Sequence, residues 1–270
     1  MNDRYVADIG DWAKFRVLRC LLAAAEHLGT ELRPAVLWWK TLVAGGAEGD
    51  GRHTGYLREP SAARFSAIDS DLHTKLKHIL DKNERAIDVL ERSAIMPEET
   101  IYHSEPLDFP TSLTTNGRRQ WRSEWVRRAR DAVQAATLIF ADPDNGLAPT
   151  GGSRTDRQAH KRVWPDELRT ILSPEQSMVV YHHLDRTAPA AQQSMRIYDR
   201  LSHEFPGHAP SRLLLFRRQS LRFFAFVPAV QHAAAVDEAV RRLTSGAESM
   251  DFELMLPSAV STDLKDSQAY

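Results

Sequence analysis

The chain has little cysteine, little net charge and no long apolar run, and each shortage removes a class of protein. Its single cysteine, Cys20, excludes an internal disulfide and any zinc site built from several thiolates, and it suits a reducing compartment. Lys and Arg number 35 against 36 Asp and Glu, a formal charge of -1. A chain so balanced has no overall field to hold a polyanion, so any nucleic-acid contact has to come from a local patch. No stretch approaches the roughly twenty apolar residues that cross a bilayer. Asp3, Asp8 and Asp11 stand near the start, with no cleavage pattern after an apolar run, which speaks against a secretion signal and for a cytoplasmic protein. Internal repeats and low-complexity linkers are also missing, so residues 1–270 are expected to form one α/β domain.

Regular elements read off the pattern of apolar residues. Asp11 is placed to cap a helix with Phe15, Leu18, Leu22 and Ala25 at helical spacing, ended by Gly29. "AVLWW" follows as a short strand, then a long glycine-rich loop, "KTLVAGGAEGDGRHTGYL". Residues 62–95 read as a helical insertion, surest over "NERAIDVLERS", and "TIYHS" as a brief strand. "RRQWRSEWVRRARDAVQAA" is a helix with Trp121 and Trp125 on one face and arginines taken as solvated on the others. Beyond it, "TLIFAD" and "SMVVYHH" are buried strands, each followed by a helix, "WPDELRTIL" and "APAAQQSMRIYDRLSHEF". "SRLLLFRRQSLRFFAFVP" gives two strands across so short a connection that they form an antiparallel hairpin. A last helix and the edge strand "DFELMLP" close the chain. Alternation of this kind predicts a doubly wound, mostly parallel sheet covered on both faces.

Ligands of such sheets sit at the carboxyl ends of the strands. There "TLIFADPDNG" breaks into Asp142, Asp144 and Asn145, acceptors able to orient a substrate amine or to hold Mg²⁺ or Mn²⁺. The same residues also suit a plain Asx turn. "VVYHHLDR" brings Tyr181, His182, His183, Asp185 and Arg186 to the same edge, and alternation allows only one of the two histidines to face a given cleft; His183 is the candidate. In "DIGDWAK", Asp8, Asp11 and Lys14 have helix-start spacing, with Asp11 most simply the cap and Lys14 and Asp8 placed to close over a ligand. The glycine loop offers Gly45, Gly46, Asp50, His53 and Tyr56 to an adenosine or phosphate, although its spacing matches neither the P-loop nor the dinucleotide fingerprint. Arg154, Arg157, Lys161 and Arg162 form the best local basic patch; Lys161, Arg162 and Arg186 are the candidate phosphate contacts.

The element order, with a terminal antiparallel hairpin, resembles the Rossmann-like methyltransferase fold. In that family an apolar strand ends in Asp/Asn-Pro-Pro-Tyr, where this chain has Asp142-Pro143-Asp144-Asn145. The opening "YVADIGDWAKFRVLRCLL" is similar in layout to the start of bacterial ribosomal-RNA adenine-N6 methyltransferases, with Asp11 and Lys14 on the family's Asp and Lys and Asp142 on its catalytic acidic position. The motifs DIGDxxK, DGxHxGYL and DPDNG further resemble a set of bacterial proteins. The resemblance implies binding of S-adenosylmethionine at the glycine loop, with Asp8 and Asp11, and methyl transfer to a nucleic-acid or small-molecule amine.

Two other functions fit the residues. One is a metal-dependent nuclease or phosphohydrolase, with Asp142 and Asp144 on Mg²⁺ or Mn²⁺ and His183 or Lys161 assisting. The other is a non-catalytic module that binds a nucleotide or a protein.

Overall fold

A computed structural model gives the fold and describes residues 1–41, 51–110, 112–156, 158–185, 187–218 and 221–255. The chain runs α1 (Ile9–His27), β1 (Pro34–Trp38), α2 (Ala62–Ile68), α3 (Ser70–Asp81), α4 (Ile87–Arg92), β2 (Ile101–His103) and α5 (Thr115–Val133). It continues through β3 (Leu138–Asp142), α6 (Pro165–Ile171), β4 (Ser177–His183), α7 (Ala190–Glu204), β5 (Arg212–Phe216), β6 (Arg222–Val227), α8 (Ala233–Leu243) and β7 (Phe252–Met255).

The seven strands form one sheet in the order β2-β1-β3-β4-β6-β5-β7. The four strands from β2 to β4 are mutually parallel, while β6 is antiparallel to β4 and β5, and β7 is antiparallel to β5. The sheet is therefore mixed, a parallel core from β2 to β4 followed by antiparallel C-terminal strands. The expected hairpin is present, and it places β6 between β4 and β5, two strands that run the same way.

Every residue of β1, β3 and β6 is buried, because both faces of the sheet are covered. Val36, Trp38, Leu138, Phe140, Val179 and Tyr181 point toward α1, α3 and α8, while Ala35, Leu37, Ile139, Ala141, Met178 and Val180 pack with α5, α6 and α7. Period-two alternation thus feeds two separate cores from the same strands. Cys20 is buried in α1, its Sγ 3.6 Å from the Ala239 carbonyl of α8.

Two boundaries differ from the sequence reading. Asp8, not Asp11, caps α1, its Oδ1 accepting from the N–H groups of Gly10 at 2.8 Å and Asp11 at 3.2 Å. The helical stretch 62–95 is three helices: Asp69 at φ -153 ends α2 and caps α3, and Asn83 at φ 55 and extended Ala86 leave only Ile87–Arg92 of "NERAIDVLERS" helical. Asp69, whose side chain accepts the Leu72 N–H, and left-handed Asn83 broke the pattern that apolar spacing alone had joined. Among the described residues no helix is long and apolar enough to cross a membrane.

Candidate active site

β3 delivers Asp142 and β4 delivers Tyr181 and His183 to the carboxyl edge of the sheet, and the first turns of α1 lie across that edge. Met1, Tyr5, Asp8, Lys14, Asp142, Asp144, Tyr181, His183 and Arg222 line one small pocket there, with a cavity volume of about 20 Å³, room for a single small group.

Lys14 is its electrostatic centre. Its Nζ donates to Asp142 Oδ2 at 2.9 Å and to Asp11 Oδ1 at 3.1 Å, and lies 4.7 Å from the centre of the Tyr181 ring. Burial alone would push this amine toward neutrality, but Asp142 and Asp11 outweigh it and hold it protonated. Asp11 is fully buried, and that burial, only partly offset by Lys14, raises its carboxyl to about 7. Its Oδ2 accepts the N–H of Ala7, a residue at φ 62, so Asp11 shapes the turn before the helix as well as holding Lys14. Asp142 spends one oxygen on Lys14, and Oδ1 carries no side-chain hydrogen bond among the described residues.

Asp144 has its own cation. Lys161 donates to Oδ2 at 3.0 Å and the Met1 amino nitrogen lies 3.9 Å from Oδ1. Burial would raise this carboxyl, but those two positive groups prevail and hold it below the usual range. The Asn145 N–H donates to the Lys161 carbonyl at 2.7 Å, which ties the "DPDNG" turn to residues 159–163. That second segment is held by Arg122. Its guanidinium makes a bidentate pair with Glu167 at 2.5 and 2.9 Å and donates to the carbonyls of Ala159 and Arg162, over the Trp164 ring. The sequence reading left this arginine on a solvated face; it is 2% exposed. Its place three residues before Trp125 and seven before Ala129 put it on the buried stripe, a signal that was available.

The two histidines of β4 divide as strand alternation requires. His183 lines the pocket, edge-on to Tyr181 at 5.2 Å, and burial reinforced by Arg222 and Lys14 keeps its imidazole neutral at pH 7. His182 faces the other way, stacks on Phe223, and its Nδ1 accepts the Leu147 N–H at 2.9 Å. Gly146 makes that contact possible: at φ 78, a Cβ there would stand 2.4 Å from His182 Nδ1.

Other sequence candidates lie elsewhere. His53 offers its carbonyl to Ile9 N–H, and the Tyr56 hydroxyl donates to the Ala7 carbonyl, so both brace the start of α1 from outside the pocket lining. Arg154 is paired with Asp166 and Lys161 with Asp144, which leaves Arg162 as the member of the patch with no side-chain partner among the described residues. Gly45, Gly46, Asp50, Arg157 and Arg186 lie outside the described residues. Among the described residues no group of three or more His, Cys, Asp or Glu is gathered as a metal would require.

Two buried nitrogens at the ends of β1 and β2, Trp39 Nε1 and His103 Nε2, have no hydrogen-bond partner among the described residues. Both rings pack on Trp125, at 4.9 and 5.4 Å. Comparison with protein-family models, with curated proteins and with solved structures gave no match for this chain.

Proposed function

We propose that the chain is a methyltransferase-like enzyme that uses S-adenosylmethionine and acts on a nucleic-acid or small-molecule amine. The observation that carries this reading is the Lys14–Asp142 pair. Lys14, which the resemblance aligns with the family's Lys, and Asp142, which it aligns with the catalytic acidic position, are 128 apart in sequence and meet at 2.9 Å in a pocket at the carboxyl edge of the sheet. The antiparallel β6 inserted between co-directional β4 and β5 is in keeping with the same fold.

Of the residues assigned to the cofactor, Asp8 lines the pocket beside Asp142, while Gly45, Gly46 and Asp50 lie outside the described residues; when bound, the cofactor would supply an electrophilic methyl group. The chain's own residues handle the amine. Asp142 Oδ1 accepts a hydrogen from the amine and so aims its lone pair. Lys14 fixes Asp142 through its hydrogen bond to Oδ2, and neutral His183 adds no repelling charge.

The metal-dependent reading ranks lower because an ammonium already sits on each carboxylate, Lys14 on Asp142 and Lys161 on Asp144, where a cation would bind. The test is transfer of labelled methyl from S-adenosylmethionine to ribosomal RNA and to a panel of small amines by the full chain. Incorporation that disappears in Asp142→Asn supports the reading; equal incorporation in the variant refutes it.

A further inference from the structure

The Tyr181 hydroxyl is a buried polar group whose use the account above leaves open. Tyr181 is 2% exposed, lines the pocket, and its hydroxyl has no hydrogen-bond partner among the described residues. Burying a hydroxyl without a partner costs stability, and phenylalanine would fill the same volume of core without that cost. The ring alone accounts for the packing: it stands edge-on to His183, tilts against Phe140 and Phe224, and receives the Lys14 ammonium on its face. The oxygen is extra to all of these.

Its surroundings show how it is held. A Cβ on Gly10 would lie 2.8 Å from the Tyr181 oxygen and 2.9 Å from Asp8 Oδ1, closer than such contacts come. Glycine at position 10 therefore lets the first turn of α1 pack this tightly on β4 beside the Lys14–Asp142 pair.

We propose that Tyr181 is a specificity-determining residue, its hydroxyl donating a hydrogen bond to an acceptor atom of the methyl-accepting molecule. The proposal rests on the transferase reading for the role of the pocket. It also assigns the chemistry of the molecule bound. The lining carries charges of both signs, Asp8, Asp142 and Asp144 against Lys14 and Arg222, so it favours a neutral group over an anion or a cation. A neutral group with an N–H for Asp142 and an acceptor for Tyr181 is an amide, an amidine in its neutral form or a heterocyclic amine. Burial raises the Tyr181 phenol above its ordinary range, so the proton it donates stays in place at pH 7.

The test uses the full chain and three small probes: acetamide, acetate and methylammonium. Each is titrated while the amide resonances of Gly10 and Tyr181 are followed by NMR. Acetamide is expected to shift both resonances saturably and to bind about tenfold more weakly to Tyr181→Phe. Acetate and methylammonium are expected to shift neither beyond the effect of salt. Tighter binding of either ion than of acetamide, no saturable binding of any probe, or equal acetamide affinity in Tyr181→Phe overturns the proposal. Because Tyr181→Phe keeps the ring and its packing and removes an unpartnered hydroxyl, its circular dichroism is expected to match the parent and its melting temperature to be no lower than the parent's. S-adenosylmethionine, titrated separately, reports on the transferase reading alone, so the failure of one is distinguishable from the failure of the other.

Discussion

Lys14 Nζ lies 2.9 Å from Asp142 Oδ2, and the pair fastens the first turns of α1 to the carboxyl end of β3. Both side chains are buried, so removal of either strands the other's charge inside the fold. Breaking a buried pair in this way costs about 3–5 kcal/mol. Lys14→Met is expected to lose stability of that order in urea unfolding, and Lys14→Met combined with Asp142→Asn to recover part of it. Unchanged stability in Lys14→Met would mean that solvent, not Lys14, balances Asp142.

The "DPDNG" turn depends on a glycine at 146. Position 146 has φ 78, and a Cβ there would collide with the ring and the Cα of His182. Gly146→Ala is expected to cost about 1–3 kcal/mol through backbone strain alone, with the displaced ring adding to it. Thermal unfolding measures the loss, and the Leu147 amide resonance reports whether its bond to His182 survives.

His182 also sets a pH dependence. Burial holds its imidazole down to about 4, against an ordinary value of 6.5. Between those values the unfolded chain binds a proton that the folded chain does not. Stability therefore falls as pH falls through that window, by up to about 1.4 kcal/mol per pH unit. His183, lowered by burial as well, works in the same direction. Urea midpoints measured across the window are expected to show a shallower slope in His182→Gln than in the parent chain. An unchanged slope would place the titrating group elsewhere.

Arg122 and Glu167 brace the segment that carries Lys161. Arg122→Met alone is expected to cost about 3–5 kcal/mol by leaving Glu167 buried and unpaired, while Arg122→Met with Glu167→Leu is expected to approach the parent's stability. Urea unfolding of the three chains gives the coupling directly.

Some of this architecture was legible beforehand. β1, β3 and β4 declared themselves as unbroken apolar runs because both of their faces are covered, and the hairpin of β5 and β6 followed from the shortness of its connection. Strand alternation separated His183 from His182 before any coordinates. What failed did so where short polar residues decide locally. Asp8 rather than Asp11 caps α1, and Asn83 at φ 55 interrupts a helix that apolar spacing had carried through. The partners within the site were out of reach for a different reason. Lys14 finds Asp142, and Arg122 finds Glu167, across separations that only the tertiary fold closes. Tyr181 was visible as the end of a strand, but that its hydroxyl lacks a partner is a property of the packed molecule.

Isothermal titration of the full chain with S-adenosylmethionine tests the central claim most directly. The account predicts saturable binding in the micromolar range, retained in Asp142→Asn, because Asp142 handles the amine and not the cofactor. Absence of that binding, together with Mg²⁺ or Mn²⁺ binding that is lost in Asp142→Asn, would contradict it.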